Sequence, residues 1–154
     1  MTINGAVIGR ECNLYYNAGT FGSPTWTLIP RAMDVSLPVA AEYGNVSSRV
    51  SIFKMQAKSQ VVVGPLTFGY RYRQLVTDAV FDALRPMTLT NTKVEFAVCD
   101  TTIATTGAEY LRGTYQLEMT LNQPMGDGVT ADFTATLTSE EDSGTLREPA
   151  WVSV

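Results

Sequence analysis

Residues 115–138, YQLEMTLNQPMGDGVTADFTATLT, decide the fold class of this chain. Apolar and polar residues alternate strictly on both sides of a turn-rich segment that contains Pro124, Gly126 and Gly128. The apolar positions are Tyr115, Leu117, Met119 and Leu121 before the turn, and Val129, Ala131, Phe133, Ala135 and Leu137 after it. Because successive side chains of a strand point to opposite faces, this pattern predicts a long antiparallel hairpin with one buried face.

Shorter runs of the same alternation precede the hairpin and predict further strands, at residues 12–16, 26–28, 33–39, 61–72 and 89–98. Pro65 falls inside the fourth run, and it should bend that strand or place it at a sheet edge. Residues 73–85 instead carry apolar side chains at a spacing of three and four, which predicts a helix that Pro86 stops. The expected fold is mainly β, an antiparallel β-sandwich or half-barrel with one flanking α-helix.

The chain length of 154 residues favours a single domain that spans residues 1–154. Two segments do not fit the alternation. The connection at about 40–58 mixes apolar and charged residues, and a compact domain rarely keeps so long an irregular stretch without a function. An unrecognised hairpin is the alternative. The C-terminal extension at about 139–154 ends in Trp151-Val152-Ser153-Val154, so it should dock on its own domain or on a neighbour.

The charge and the cysteines exclude several classes of protein. The formal net charge is −4 and the 11 Lys and Arg are scattered, which argues against binding nucleic acid through its phosphates. Cys12 and Cys99 lie in strand-like patterns and are predicted to be buried free thiols of a reducing compartment. No apolar run approaches the roughly 18 residues of a membrane span, and Arg10 and Glu11 stand where a secretory signal is apolar. We therefore expect a soluble protein made in the cytoplasm.

The sequence contains no histidine. This absence removes Ser-His and Cys-His nucleophile pairs together with histidine bases and metal ligands. No Gly-rich phosphate loop or zinc pattern occurs. Glu95, Glu118 and Asp132 occupy polar faces of predicted strands, where solvated acids are ordinary in antiparallel sheets. We expect a protein that is not an enzyme, with no catalytic residues, no cofactor and no metal site.

The order of these signals resembles that of the tail tube proteins of long-tailed bacteriophages. The resemblance covers most of the chain and rests on MDVSL at 33–37, the connection at 42–58, the strand at 61–72, TDAVFDAL at 77–84, VEFAVCD at 94–100, IATTG at 103–107, LRG at 111–113 and PAWVSV at 149–154. It implies a structural subunit of which six copies form a ring. The inner strands of the ring would join into one β-barrel, and stacked rings would conduct DNA from the capsid to the host cell.

The resemblance also implies that the long connection and the termini reach neighbouring subunits. The candidate inter-subunit contacts are therefore Tyr43, Arg49, Ile52, Phe53, Lys54, Met55 and Trp151. A wall past which DNA slides should not attract phosphate, so Glu95, Glu118 and Asp132 are candidate lumen-facing acids. The expected partners are copies of the chain, a tape-measure protein and tail terminator or tip proteins, with DNA as transient cargo and no membrane. The expected location is the virion tail, after assembly in the cytoplasm of the host bacterium.

Two other interpretations stay open. The tube protein of a contractile tail or of a secretion-like system would share the ring architecture. A free β-sandwich binding module would instead be a stable monomer with an exposed aromatic platform, and Tyr15, Trp26 and Tyr43 are the residues to inspect for it.

Overall fold

The structure is a computed structural model. It describes residues 2–3, 6–7, 13–50, 52–71, 77–126, 128–138, 141–142 and 145–154. The expectations placed on Cys12, on Tyr72 and on residues 73–76 of the predicted helix lie outside the described residues.

The described part of the chain contains fourteen strands and one helix. The elements before the helix are β1 (Thr2–Ile3), β2 (Ala6–Val7), β3 (Asn13–Asn17), β4 (Trp26–Leu28), β5 (Ala32–Ser36), β6 (Val39–Asn45), β7 (Gln56–Val63) and β8 (Leu66–Arg71). They are followed by α1 (Ala79–Met87), β9 (Lys93–Cys99), β10 (Glu109–Asn122), β11 (Thr130–Leu137), β12 (Glu141–Asp142), β13 (Thr145–Leu146) and β14 (Ala150–Ser153).

The main sheet is antiparallel and has the strand order β4-β3-β9-β10-β11-β8-β5, with β14 also paired to β10. The long strand β10 connects the two halves of this sheet. Its first half lies between β9 and β14, and its second half pairs with β11. The predicted fold class, mainly antiparallel β with one helix, is confirmed.

The sheet curves around its core. Strands β8 and β9 are separated in the sheet by β10 and β11, so a flat sheet would hold them about 14 Å apart. The rings of Phe68 on β8 and Phe96 on β9 nevertheless lie 5.9 Å apart, edge to face. The predicted hairpin supplies much of this core, because β10 and β11 pair in the expected register from Tyr115 opposite Leu137 to Asn122 opposite Thr130.

Helix α1 lies against the apolar face of the sheet and is fixed there by Asp78. The ring of Phe81 stacks on that of Tyr70 at 5.9 Å, and Leu84 is fully buried. The Asp78 carboxylate accepts hydrogen bonds from the Phe81 amide at 3.3 Å, from the Tyr70 hydroxyl at 2.8 Å and from Arg31 at 2.6 Å. Burial, and then the hydrogen bond to Asp78, raise the pKa of Tyr70 well above its ordinary value.

The expected stop at Pro86 is wrong, because α1 includes Pro86 and ends at Met87. A proline removes one intrahelical hydrogen bond, here the one to the carbonyl of Asp82, and it is tolerated where the helix is about to end. The amide of Thr88 then closes the last turn on the Arg85 carbonyl at 3.2 Å.

Two predicted strands are each divided into two. The run at 61–72 is broken at Gly64-Pro65 between β7 and β8, and the run at 33–39 is broken at Leu37-Pro38 between β5 and β6. The two breaks lie opposite each other, since the Gly64 amide donates to the Pro38 carbonyl at 2.8 Å. Gly64 has φ 94°, a conformation that favours glycine.

The expectation of an irregular connection at 40–58 is wrong, and the alternative of a hairpin is correct. Strands β6 and β7 pair from Val39 opposite Val63 to Asn45 opposite Gln56. We call residues 39–63 the arm, residues 46–55 at its end the tip, and the rest of the chain the body. The arm continues the β5–β8 strand pair beyond the body.

The hydroxyl of Tyr115 is buried with no hydrogen-bond partner among the described residues. The side chain is 1% exposed, and burial raises the pKa of Tyr115 to about 12. A Cβ on Gly113 would lie 2.9 Å from this hydroxyl, so a larger residue at position 113 would force the Tyr115 side chain to move. An unsatisfied buried hydroxyl costs about 1–3 kcal/mol of desolvation, which the Tyr115 hydroxyl does not recover.

We therefore expect Tyr115→Phe to leave the free energy of unfolding unchanged or to raise it by about 1 kcal/mol. Tyr70→Phe is the matched control, because the Tyr70 hydroxyl donates to the Asp78 carboxylate and its loss should cost about 1.5–3 kcal/mol. Urea denaturation of both variants measures the difference. Equal losses of stability in the two variants would contradict the assignment of an orphaned hydroxyl.

Candidate assembly site

The arm carries more than half of the large apolar side chains that the described residues expose. Within the arm, exposure is greatest at the tip, where Val50 is 91% and Ile52 93% exposed. Hydrogen bonds join the two ends of the tip. The Val46 amide donates to the Met55 carbonyl at 3.0 Å, and the Met55 amide donates to the Ser47 hydroxyl at 2.7 Å. Between these ends, the described apolar side chains of the tip are exposed to solvent.

The arm also differs from the body in charge. It carries Arg49, Lys54 and Lys58 against one acid, Glu42, whose carboxylate accepts a hydrogen bond from Gln60 at 2.8 Å. The chain as a whole has a formal net charge of −4. The arm is thus a basic, apolar projection from an acidic body.

A groove of about 580 Å³ lies where the arm meets the body, and we call it the base groove. Its apolar lining is Val39, Val61, Val63, Leu111, Leu137, Pro149 and Trp151, and its polar lining is Gln60 and Glu148. Trp151 is 70% exposed in this single chain. The groove is therefore an apolar surface with one charged residue, an acid.

The C-terminal segment forms one side of the base groove. Strand β14 pairs with β10, with Trp151 opposite Leu111 and Val152 opposite Tyr110. The Val152 side chain packs on a second small core around Tyr15 and Tyr110. The C-terminal segment was predicted to dock on its own domain or on a neighbour, and it docks on its own domain.

The candidate contact residues fall on these two surfaces. Tyr43, Arg49, Ile52, Phe53, Lys54 and Met55 lie on the arm and are exposed, and Trp151 lies in the base groove. The structure brings the first six together on one projection, and it separates them from Trp151. Their role as inter-subunit contacts stays a prediction.

Two of the three candidate lumen acids share one exposed sheet face. Glu118 lies opposite Thr134, and Asp132 lies opposite Thr120, so their side chains are on the same side of the sheet. The face is otherwise rich in threonine, including Thr67, Thr130 and Thr136. Asp132 accepts a hydrogen bond from Asn122 across the β10–β11 pair.

The expectation that Glu95 lies on a solvated face is wrong. It is 7% exposed, and its carboxylate accepts two hydrogen bonds from Arg112, at 2.6 and 3.2 Å. The guanidinium of Arg112 also donates to the Phe21 carbonyl at 2.7 Å and lies 3.9 Å from the Phe21 ring centre. Burial raises the pKa of Glu95, and Arg112 opposes that rise. The segment that contains Phe21 therefore covers this end of the polar face.

The residues named for an aromatic platform do not form one. Tyr15 is 5% exposed, and Trp26 packs edge to face on Tyr110 at 5.8 Å. Tyr43, at 60% exposure, lies on the arm.

Cys99 is a buried free thiol, as predicted, and burial raises its pKa.

The described residues contain neither a candidate metal site nor a membrane-spanning helix. In that part of the chain, no group of three or more acidic or cysteine side chains could hold a metal ion. Within the described residues, no helix is long and apolar enough to cross a membrane.

No protein-family model and no curated protein matches this chain. Solved structures do share its fold. A chain of the SPP1 tail tube superposes with a TM-score of 0.73 at 9% sequence identity, over 97% of this chain and 80% of that chain. A chain from the tail of an empty GTA particle, determined with C6 symmetry, gives a TM-score of 0.67 at 14% sequence identity, over 92% of this chain and 98% of that chain.

A chain of the anti-feeding prophage baseplate, six-fold symmetrised, gives a TM-score of 0.59 at 8% identity over 98% of both chains. Together these similarities show that the chain has the fold of tail tube chains. The resemblance predicted from the sequence is confirmed at the level of the fold.

Proposed function

We propose that this chain is the structural subunit of a phage tail tube and that it acts by assembling with copies of itself. The arm is the observation that carries the proposal. Exposed apolar patches mark interaction sites, and a monomer would gain nothing from the exposed Val50 and Ile52. The arm projects from a body whose fold is that of tail tube chains. Such a subunit has a structural role and needs no catalytic group.

Two of the edges of the sheet could close a ring. Among the described residues, β5 pairs on one side with β8, and β10 beyond Gln116 pairs on one side with β11. Joining β5 of one copy to the second half of β10 in the next would continue the sheet from copy to copy. These edges are different surfaces, so the contact is heterologous and closes into a ring when the rotation fits. Closure would also cover the edges against aggregation.

In a ring of six copies, the threonine-rich face of β8, β11 and the second half of β10 would line the lumen. Glu118 and Asp132 lie on this face, with Arg71 at the end of β8 as its basic residue. Few phosphate contacts could form there, so DNA would slide with little binding free energy to overcome. Glu95 would not face the lumen, because it is buried against Arg112.

The partners in this role would be other copies of the chain, a tape-measure protein and tail terminator or tip proteins, with DNA as transient cargo. The location would be the virion tail, after assembly in the host cytoplasm. A second candidate is the tube protein of a contractile tail or secretion-like system, and the likeness to a baseplate chain favours keeping it. A binding module is disfavoured, since Tyr15 is buried and Trp26 is partly buried against Tyr110.

Purified protein should form rings and hollow tubes with a central channel as its concentration rises. Negative-stain electron microscopy over a concentration series, with sedimentation velocity on the same samples, measures this directly. A protein that remains a monodisperse monomer up to its highest soluble concentration would contradict the proposal.

A further inference from the structure

On the premise of the proposed ring closure through sheet edges, we infer that Asp34 protects one of these edges from pairing with itself. Asp34 is an extra residue in β5 that interrupts the edge of the strand, and it prevents β5 of one copy from pairing with β5 of a second copy. The edge then remains available to a different edge, the second half of β10 in the next copy.

Strand β5 contains a β-bulge at Asp34. Between two pairs of the β5–β8 ladder, β5 advances from position 33 to 36 while β8 advances only from 69 to 67. Asp34 and Val35 together therefore oppose the single residue Phe68, which is the arrangement of a bulge. Among the described residues other than glycine, Asp34 alone has a positive φ, 51°. It takes the left-handed conformation, which costs conformational free energy in an L-residue.

The strand would be regular without Asp34. Ala32 and Leu37 both pack against the core, although the five positions between them would turn them to opposite faces of a regular strand. Removing Asp34 leaves Ala-Met-Val-Ser-Leu, whose first, third and fifth residues would all face the core. Val35 would then form a normal pair with Phe68. The fold of the body does not require Asp34, so its strained backbone indicates another role.

That role follows from the position of β5 at an edge of the main sheet. The outer backbone groups of an edge strand form a template for another strand. Two identical antiparallel edges can pair about a two-fold axis, and such a dimer would compete with ring closure. Strand β5 runs from Ala32 to Ser36, so Asp34 is its midpoint and would lie opposite Asp34 of the other copy. Like charges and an interrupted ladder both oppose this dimer.

The second half of β10 presents a different set of side chains to Asp34. Asp34 lines a depression with Asp132 on the threonine-rich face, and on that face β10 carries Glu118, Thr120 and Asn122. Two of these three are neutral, so pairing with β10 can place Asp34 beside an uncharged side chain. The register that brings Asp34 to Glu118 is disfavoured by like charge. Asp34 thus opposes pairing with β5 and also restricts the register of pairing with β10.

Deletion of Asp34 tests the inference. The shortened strand should be regular, so the melting temperature should match that of the wild type or exceed it by about 2–4 °C as the strained residue is lost. Sedimentation velocity should show dimers at concentrations about tenfold below those at which the wild type first associates, because β5 then offers an uninterrupted edge. Electron microscopy of the same samples should show fewer rings and tubes.

Three further variants locate the contact and separate the bulge from a general change. Asp34→Gly keeps the extra residue in a conformation that suits glycine, so it should stay monomeric where the deletion variant dimerises. Ser36→Lys, added to the deletion, should restore the monomer, since a lysine on an edge strand opposes pairing there. Leu89→Lys, added instead, should leave the dimer intact, because Leu89 is exposed and lies outside β5.

The outcomes separate this inference from the proposed function. A deletion variant that stays monomeric, that loses its cooperative melting transition, or whose dimers persist with Ser36→Lys would overturn the inference. Equal dimerisation of Asp34→Gly and the deletion variant would do so too. Tubes of the wild type beside any of these results would leave the tube proposal standing. A wild type that never assembles, with dimers in the deletion variant alone, would overturn the tube proposal and retain the protected edge.

Discussion

Replacing residues 38–65 with Asn-Gly should give a body that folds and no longer assembles. The β5–β8 register places Ser36 opposite Thr67, so Leu37 and Leu66 would become the last opposed pair of a shortened hairpin. A two-residue Asn-Gly turn joins antiparallel strands with the correct twist. The replacement therefore removes the arm without shifting the main sheet.

We expect the arm to contribute to assembly and little to the stability of the body. None of the described side chains from 38 to 65 belongs to the buried core. The melting temperature of the shortened protein should therefore stay close to that of the wild type. Truncating one hot-spot residue of an interface costs about 2 kcal/mol or more of binding free energy. The loss of two such residues corresponds to about a 1,000-fold weaker contact. We expect the critical concentration to rise by at least that factor.

Circular dichroism melting and electron microscopy of the same samples measure the two effects separately. Leu89→Asp is the control for a general surface change, because Leu89 is as exposed as the tip residues and lies on the body. It should assemble like the wild type. Tubes formed by the shortened protein at wild-type concentration would show that the arm is dispensable, and loss of its melting transition would show that the arm belongs to the folding unit.

The sequence predicted the body well because its strands have two different faces. In β10 and β11, Leu117, Phe133 and Ala135 are buried while Glu118 and Asp132 are exposed, and this contrast creates the alternation of two. The same contrast set the register, since a slip by one residue would turn the apolar set toward water.

The hairpin of the arm was only an alternative from the sequence, because both of its faces are exposed in a single copy. Every described residue of β7 from Gln56 to Val62 is exposed, so apolar and polar side chains occur there without a period. The length of the stretch indicated a function, and the resemblance to tail tube proteins implied a contact with neighbouring subunits. Neither signal indicates which surface a partner would offer.

Glu95 shows a different limit of the sequence. An acid on the polar side of a strand looks the same whether that side faces water or is covered by another segment. The cover here comes from Phe21, and the partner Arg112 lies on the neighbouring strand, 17 positions along the chain. Pairings between distant segments leave no local pattern, and for the same reason the base groove between the arm and the C-terminal segment could not be predicted.

Arg112→Ala should destabilise the body by about 3–5 kcal/mol at neutral pH, the usual cost of leaving a buried charge without its partner. The variant removes both hydrogen bonds to the Glu95 carboxylate. It also removes the guanidinium that lies over the ring of Phe21. Arg85→Ala is the control, because Arg85 is exposed and its pair with Asp82 spans 3.8 Å, and it should change stability by less than about 0.5 kcal/mol.

The loss of stability in Arg112→Ala should depend on pH, and the direction of this dependence follows from the pKa of Glu95. Burial raises the pKa of Glu95 above its ordinary value of 4.5, and Arg112 holds that rise back. Without Arg112 the pKa rises further, so the folded variant binds a proton more tightly than its unfolded chain does. Its stability is then greatest below the ordinary pKa and falls as the pH increases through the raised value. The difference from the wild type should therefore be largest at neutral pH and shrink toward pH 4.5.

Urea denaturation of the wild type and of Arg112→Ala at both pH values measures this difference. Adding Glu95→Gln to Arg112→Ala replaces the buried carboxylate with a neutral amide, which should restore part of the stability at neutral pH and remove the pH dependence. A deficit of the same size at both pH values, unaffected by Glu95→Gln, would mean that Arg112 acts through its packing on Phe21. In that case the buried charge of Glu95 would not be what Arg112 stabilises.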